Sequence, residues 1–232
     1  MLKKHPYMMA AIGIICTLTA IFYFYGQKQQ RIMTLNMTKG GSKETIIIDP
    51  GHGGFDPGKV GVANSLEKDI NLAIAKLVRT ELETSGYTVY MTREADVALC
   101  QGNENSKKLT DMKNRVAMIE EKAPRLTVSI HQNSFSAGTK GAQVFYYSRS
   151  QEGKELAGVM QNSIRDAVGD DNHRVEKAND DYYMLRKVTC PLVIVECGFL
   201  SNPEEEALLQ DEAYQKKMAH GICEGIENFL YK

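Results

Sequence analysis

The sequence from residue 44 onward alternates short runs of β-branched residues with longer stretches of helical periodicity. Five runs have the length and composition of strands, and they are residues 45–48, 87–91, 126–130, 142–147 and 192–195. Because a chain that alternates in this way folds as an α/β domain, we predict a single domain with a central, mostly parallel or mixed β-sheet that is flanked by helices on both faces.

Helices are predicted between the strands from apolar residues at three- and four-residue spacing. The first runs from Leu66 until Gly86 stops it, and two more cover residues 112–119 and 156–164. Asn202 is a suitable N-cap for a last helix, with Pro203 at its first position. We predict that this last helix is continuous, from its apolar line of Leu208, Tyr214, Met218, Ile222, Ile226 and Phe229.

The N-terminal region differs chemically from the rest of the chain. From Tyr7 to Tyr25, 19 consecutive residues carry no formal charge, and a helix of that length spans roughly 28 Å, about the hydrocarbon thickness of a bilayer. Bulky residues at 21–25 favour an uncleaved transmembrane signal anchor over residues 1–25, with a cleaved signal peptide as the alternative. Residues 26–43 are polar and typical of a tether, which leaves residues 44–232 as the catalytic domain.

Charge follows the same division. Of 28 basic and 29 acidic residues, six basic and no acidic ones lie in residues 1–43, which gives +6 there and −7 in residues 44–232. An acidic domain is a poor partner for nucleic acid, because phosphate contact needs clustered Lys and Arg. A composition of 25% charged and 43% hydrophobic residues also argues against a disordered chain and a polytopic membrane protein.

Side chains that can bind metal or carry protons follow three of the predicted strands. His52 lies in the glycine-rich loop after the first strand, His131 ends the third and Glu196 ends the fifth, while Glu67 begins the first helix. Ligands in α/β sheets bind beyond the carboxyl ends of the strands, so these four side chains could share one rim. Two imidazoles and one carboxylate are a usual ligand set for catalytic zinc, and the remaining carboxylate would be the general base.

Each of these residues also has a purely structural interpretation. Glu67 stands three residues after Asn64, which is the spacing of a capping box. His52 could be an ordinary loop residue and His131 a hydrogen-bonded core histidine. Glu196 is harder to explain in this way, because a carboxylate directly after Leu-Val-Ile-Val is costly to bury unless it is paired or bound to metal. The shared placement at one rim favours the functional interpretation.

Short motifs along residues 45–230 point to a known family. They are Ile-Asp-Pro-Gly-His-Gly-Gly from Ile48, Asp-Pro-Gly from Asp56, Glu-Lys from Glu67, Thr-Arg from Thr92, Ser-Ile-His with Asn133, Leu-Arg from Leu185, and Val-Glu from Val195 with Gly-Phe-Leu-Ser-Asn from Gly198. In these motifs and their order the sequence resembles the zinc-dependent N-acetylmuramoyl-L-alanine amidases of the amidase 3 type. Its size and N-terminal hydrophobic segment particularly resemble the CwlD-type germination-specific amidases of spore-forming bacteria.

The resemblance implies an activity and assigns residues to it. The implied reaction hydrolyses the amide bond between the lactyl group of N-acetylmuramic acid and the L-alanine of the peptide stem, in spore cortex peptidoglycan that is processed for germination. Glu196 is then the catalytic carboxylate, while Asn133 and Arg186 line the substrate groove. The implied ligands of one Zn²⁺ ion are His52, Glu67 and His131.

Three rival interpretations stay open at the level of sequence. Cys197 and His131 could form a Cys–His hydrolase, although Cys197 should point to the opposite face of the sheet from Glu196. The domain could be a membrane-tethered peptidoglycan-binding module without turnover. It could also be another zinc peptidoglycan hydrolase, but it lacks the motif His-Glu-x-x-His. Four cysteines follow residue 44 at irregular spacing, which does not indicate a disulfide framework, and one bridge stays open.

The expected location follows from the substrate. Peptidoglycan lies outside the cell membrane, so we expect the N-terminus in the cytoplasm and the catalytic domain on the outer side, in the forespore and cortex space of a spore-former. Beyond the predicted anchor no targeting module is visible in the sequence. We therefore hypothesise an accessory envelope protein that docks on the domain and supports zinc binding or substrate alignment.

Overall fold

All five predicted strands form in the computed structural model, which describes residues 44–100, 107–169 and 172–232. A sixth strand of two residues was not predicted, because so short a segment carries no periodicity. The strands are β1 (Thr45–Pro50), β2 (Thr88–Met91), β3 (Leu126–Asn133), β4 (Gln143–Tyr146), β5 (Lys177–Ala178) and β6 (Leu192–Phe199).

The strands make one mixed sheet in the order β2-β1-β3-β6-β4-β5. β1 runs parallel to β2 and β3, and β3 runs parallel to β6, whereas β4 is antiparallel to β6 and parallel to β5. The carboxyl ends of β1, β3 and β6 therefore lie side by side. Within this register Pro50 pairs with Ile130, and His131 pairs with Glu196.

Helices cover both faces of the sheet, as predicted. They are α1 (Glu67–Thr84), α2 (Lys107–Lys122), α3 (Gln151–Val168), α4 (Tyr183–Lys187), α5 (Pro203–Gln210) and α6 (Glu212–Leu230). None of the helices in the described part of the chain is both long and apolar enough to cross a bilayer. The predicted signal anchor and tether lie in residues 1–43, outside the described residues.

The sheet separates two hydrophobic cores, because successive side chains along a strand point to opposite faces. Ile46 and Ile48 face a large core with α1, α3 and α6, whereas Ile47 faces a smaller core with α2 and α4. Burying each isoleucine stabilises the fold by about 1.5–3 kcal/mol. In β6 the same alternation places Ile194 in the smaller core and Cys197 in the larger one, so Glu196 lies on the α2 and α4 side.

The prediction of a continuous last helix is wrong, because the helix is interrupted at Asp211. The backbone of Asp211 is extended, with φ −79° and ψ 124°, and its carboxylate caps α6 by accepting from the Tyr214 amide at 2.9 Å. The break changes the helix phase, so Leu208 is 45% exposed and Leu209 is fully buried instead. The start of α5 is as predicted, since the Asn202 side chain accepts hydrogen bonds from two backbone amides and Pro203 follows it.

Candidate metal centre and active site

The loop after β1 holds His52 in an unusual backbone conformation. His52 has a φ of 61°, the left-handed region that few non-glycine residues adopt. The loop also passes very close to the next strand, because a Cβ on Gly51 would lie 2.2 Å from the His131 ring. Gly58 has a φ of 67°, and a Cβ there would lie 2.6 Å from a carboxylate oxygen of Glu67. Glycine at both positions lets the backbone approach the two side chains.

Two buried arginines fix this loop through its carbonyl oxygens. Arg93 donates to the carbonyls of Pro50 and Gly51, at 3.0 and 2.9 Å. Arg115 donates to the carbonyls of Pro50 and His52, at 2.9 and 2.6 Å. Three consecutive carbonyls are thus satisfied by guanidinium groups, which holds the backbone of His52 in place.

Asp49 provides the counter-charge for Arg115. Its side chain is fully buried and accepts hydrogen bonds from Thr92 and Arg115 on Oδ1, at 2.5 and 2.7 Å, and from Ser129 on Oδ2 at 2.6 Å. Burial opposes ionisation, but Arg115 and the two hydroxyl donors outweigh it and lower the pKa of Asp49 to about 2. The carboxylate is therefore ionised and fully paired behind the loop.

The predicted ligands His52, Glu67 and His131 come together at the rim. Oε1 of Glu67 lies 3.0 Å from Nδ1 of His131 and 3.2 Å from Nε2 of His52. The two imidazole rings stand edge to face with centroids 5.0 Å apart. One ligand atom from each residue lies within 4.8 Å of the others. Two imidazoles and a carboxylate at this spacing fit the usual donor set of zinc.

Glu67 is not the capping residue that its sequence spacing suggested. The N-cap of α1 is Leu66, and it makes no side-chain capping hydrogen bond. The Glu67 carboxylate instead turns inward, where Oε2 accepts from the Lys59 amide at 2.7 Å. Burial opposes its ionisation, but the hydrogen bonds and charges of the two histidines lower the pKa of Glu67 well below its usual range.

Asp56 orients His52, a role that the sequence reasoning did not assign. Its Oδ2 lies 2.9 Å from Nδ1 of His52, which leaves Nε2 toward Glu67. Carboxylates commonly fix metal-binding histidines in this way. Burial opposes protonation of His52, but Glu67 and Asp56 outweigh it and raise the pKa of the imidazole to about 9. Asp56 opens the Asp-Pro-Gly motif, four residues after His52. This short spacing was the sequence signal that could have indicated its contact with His52.

Glu196 lies beside this cluster, on the neighbouring strand. Only 6% of its surface is exposed. Oε1 accepts a hydrogen bond from the Tyr182 hydroxyl at 3.2 Å, whereas Oε2 is buried and has no hydrogen-bond partner among the described residues. Burial, strengthened by the charge of Glu67, raises the pKa of Glu196 to about 7 despite the opposing effects of His131 and Tyr182. A carboxyl group with such a pKa can accept and return a proton near neutrality.

A cavity of about 210 Å³ opens beside these side chains. One side of the cavity is formed by residues of the candidate metal centre and by Glu196, and the other side is formed by α2 and by the start of α4. The lining includes His52, His131, Glu196, Lys108, Met112, Tyr182 and Met184. The predicted groove residues Asn133 and Arg186 are not among the described residues that line this cavity. Their contact with substrate stays a prediction.

The thiol of Cys197 does not reach this site. Cys197 is fully buried in the large core, on the opposite face of the sheet from Glu196, as predicted. Burial raises the pKa of the thiol far above its ordinary value, so it stays protonated. The four described cysteines are all free, including Cys100, Cys190 and Cys223. No contact supports the Cys–His interpretation among the described residues.

The fold and the site together define a class of protein, a hydrolase built on an α/β domain with a His-Glu-His cluster beside a buried carboxylate. The chain belongs to the N-acetylmuramoyl-L-alanine amidase family, whose profile matches residues 46–228. The enzyme is therefore an N-acetylmuramoyl-L-alanine amidase, and its substrate is peptidoglycan.

Individual relatives agree with this assignment. The chain is 35% identical to the germination-specific N-acetylmuramoyl-L-alanine amidase of Bacillus subtilis, over 99% of this chain and 97% of the relative. The CwlD amidase of Clostridioides difficile, solved in complex with the GerS lipoprotein, is 41% identical with a TM-score of 0.79 over 81% of this chain and 98% of that one. The catalytic domain of CwlV from Bacillus (Paenibacillus) polymyxa is 33% identical with a TM-score of 0.71, over 81% and 98%. The resemblance to the CwlD-type amidases is thus confirmed.

Proposed function

We propose that the protein uses one zinc ion to hydrolyse the amide bond between the lactyl group of N-acetylmuramic acid and L-alanine, in spore cortex peptidoglycan. One observation carries the chemistry. The ligand atoms of His52, Glu67 and His131 lie within 4.8 Å of one another, directly beside the buried carboxylate of Glu196 on the adjacent strand. These three residues would hold the ion, and Glu196 would move the proton.

Amide hydrolysis needs both an activated water and a protonated leaving group. Bound zinc supplies Lewis acidity, which activates water and polarises a carbonyl oxygen. Glu196 accepts the proton of the attacking water at Oε2, the oxygen without a hydrogen-bond partner among the described residues. It then delivers this proton to the departing L-alanine nitrogen.

The decisive experiment is mass spectrometry of peptidoglycan digested by the wild-type protein and by Glu196→Gln. We expect the wild type to release stem peptides with a free L-alanine amino group. The Glu196→Gln variant should bind zinc stoichiometrically but release almost none. Release at the wild-type rate would remove Glu196 from the mechanism, and no release by zinc-loaded wild type would favour a binding module without turnover.

The ligand assignment is tested separately by metal analysis. His52→Ala and His131→Ala should each abolish stoichiometric zinc binding, because two remaining protein ligands hold the ion too weakly. The matched control is His220→Ala, which removes an exposed histidine on α6 that contacts Glu81. Unchanged zinc content in both ligand variants would contradict the assignment.

The cellular role is proposed from the relatives and the N-terminal sequence. A relative is named for germination, and the apolar segment within residues 1–25 would anchor the chain with its catalytic domain on the outer side of the membrane. Expression of the chain in Bacillus subtilis that lacks the germination-specific relative should restore spore germination. Failure of a well-expressed, membrane-inserted chain to do so would contradict the cortex role without affecting the amidase chemistry.

An accessory envelope protein is proposed as a partner, since the Clostridioides difficile relative was solved in complex with a lipoprotein. The partner would support zinc binding or substrate alignment from outside the catalytic domain. The purified full chain should then bind zinc more weakly, or cleave sacculi more slowly, alone than with the lipoprotein that its own host encodes. Full activity and tight zinc binding by the chain alone would contradict this proposal.

A further inference from the structure

The two oxygens of the Glu196 carboxylate have different surroundings. Oε1 accepts from the Tyr182 hydroxyl at 3.2 Å, while Oε2 is buried with no partner in the described part of the chain. At 3.2 Å this hydrogen bond is longer than most O–H···O pairs, so it orients Oε1 more than it stabilises the charge of the carboxylate. A carboxylate with one oxygen held can rotate less about its last torsion.

Tyr182 is itself held firmly where it meets Glu196. Its backbone amide donates to the Asn179 side chain at 3.1 Å, and it is the N-cap residue of α4. Its ring stands edge to face against Phe145, with centroids 5.7 Å apart and an interplanar angle of 85°. Burial, together with the charge of Glu196, raises the pKa of Tyr182 above its ordinary value, so the hydroxyl keeps its proton and acts as a donor.

We propose that Tyr182 is a positioning residue for the amidase reaction, which holds Oε1 of Glu196 so that Oε2 is the oxygen presented to the reacting water and nitrogen. This inference rests on the function proposed for Glu196. Tyr182 need not touch the metal ligands to act, since it works through the carboxylate. Sequence reasoning did not single it out, because Tyr182 lies outside any strand pattern in a run of polar and aromatic residues.

The test is Tyr182→Phe, which removes the hydroxyl and keeps the ring that contacts Phe145. We expect kcat to fall about tenfold with KM within about twofold of wild type, because the carboxylate is less often aligned while substrate contacts are unchanged. Zinc affinity, measured by competition with a fluorescent chelator, should stay within about twofold. A rise in KM without a fall in kcat, a loss of zinc affinity, or an unchanged kcat would each overturn the proposal.

A double-mutant cycle separates action through Glu196 from a direct effect on the reaction. In a Glu196→Gln background, measured under single-turnover conditions, Tyr182→Phe should change the remaining rate by less than about twofold. An equal tenfold loss in both backgrounds would show that Tyr182 acts independently of Glu196 and would overturn the inference. If Glu196→Gln itself retains the wild-type rate, the proposed function fails, whereas a slow Glu196→Gln with a fast Tyr182→Phe contradicts this inference alone.

Tyr87→Phe is the matched control. It removes another partly buried hydroxyl, which donates to the Tyr231 hydroxyl at 2.8 Å. Tyr87 precedes β2 at the amino-terminal end of the parallel strands, away from the rim that carries the site. We expect kcat, KM and zinc affinity to match wild type. A tenfold fall in kcat for Tyr87→Phe as well would show a general effect of losing a tyrosine hydroxyl and would overturn the positioning role.

Discussion

Asp49 and Glu196 are buried carboxylates on strands of the same sheet, but they differ in their hydrogen-bond donors and in their charged neighbours. Asp49 accepts hydrogen bonds on both oxygens and faces the guanidinium of Arg115 at 2.7 Å. Glu196 accepts one long hydrogen bond on one oxygen, and its other oxygen has no partner among the described residues. Their pKa values are accordingly about 2 and about 7.

Burial raises the pKa of both carboxyl groups, so the difference between them comes from their hydrogen-bond donors and neighbouring charges. Both groups lose hydration, which raises the pKa of each. At Asp49 a cation and two hydroxyls replace the lost water, so the charge becomes a permanent part of the loop that holds His52. At Glu196 the replacement is incomplete, which leaves an oxygen able to take up a proton. The first carboxylate is expected to support stability and the second to support turnover.

The largest expected effect is on turnover at Glu196. Glu196→Gln should lower kcat about 10³-fold, since general acid–base groups contribute about 10²- to 10⁴-fold. Its free energy of unfolding should stay within about 1 kcal/mol of wild type, because no charged partner is lost. Steady-state kinetics and urea unfolding measure the two quantities. A large loss of stability with little loss of turnover would show that Glu196 supports the fold rather than the reaction.

The next effect concerns stability at Asp49. Asp49→Asn should lower the free energy of unfolding by about 3 kcal/mol, because it removes the buried negative charge that faces Arg115. The asparagine NH₂ group also cannot accept the hydrogen bond that a Thr92 or Ser129 hydroxyl donates to the carboxylate oxygen it replaces. Arg115 keeps Asp111 as a second partner, at 2.6 Å, which limits the loss. Urea unfolding at pH 7 measures the change. An unfolding free energy equal to wild type would show that the pair is not a stabilising element.

The contribution of Asp49 should depend on pH with a definite sign. Its pKa is lowered from 3.8 to about 2, so its stabilising effect is complete above pH 4 and is lost as the pH falls toward 2. The shift corresponds to about 2 kcal/mol. The difference in unfolding free energy between wild type and Asp49→Asn should therefore narrow between pH 4 and pH 2.5. A difference that widens on acidification would contradict the assignment.

The smallest effect comes from a single donor. Ser129→Ala removes the described partner of Oδ2 of Asp49 and should cost about 1.5 kcal/mol of stability, since the hydrogen bond is buried and charge-assisted. Ser148→Ala is the control, because its hydroxyl donates to Asp180 at 2.8 Å at an exposed position and should cost less than about 0.5 kcal/mol. If thermal or urea unfolding shows the same loss of stability in both variants, burial of the hydrogen bond is not the reason for the effect of Ser129→Ala.

The sequence predicted those parts of the molecule that depend on local pattern. The strands, the first helix and the Asn202 cap follow from side-chain periodicity and capping chemistry within a few residues. The rim follows as well, because parallel strands end at the same edge, which brings His52, His131 and Glu196 together. The last helix was predicted wrongly, since the cap at Asp211 competes with an apolar line that continues past it.

The chain by itself therefore determined the α/β class, the order of its elements and the residues at the rim, since these depend on periodicity and on where strands end. Tertiary structure alone decided how the two buried carboxylates differ. The partners of Asp49 and Glu196 come from distant positions, 66 residues away for Arg115 and 14 for Tyr182. No local pattern encodes such contacts, because they arise only when packed helices and strands bring a donor within hydrogen-bond distance of a group that has lost its water.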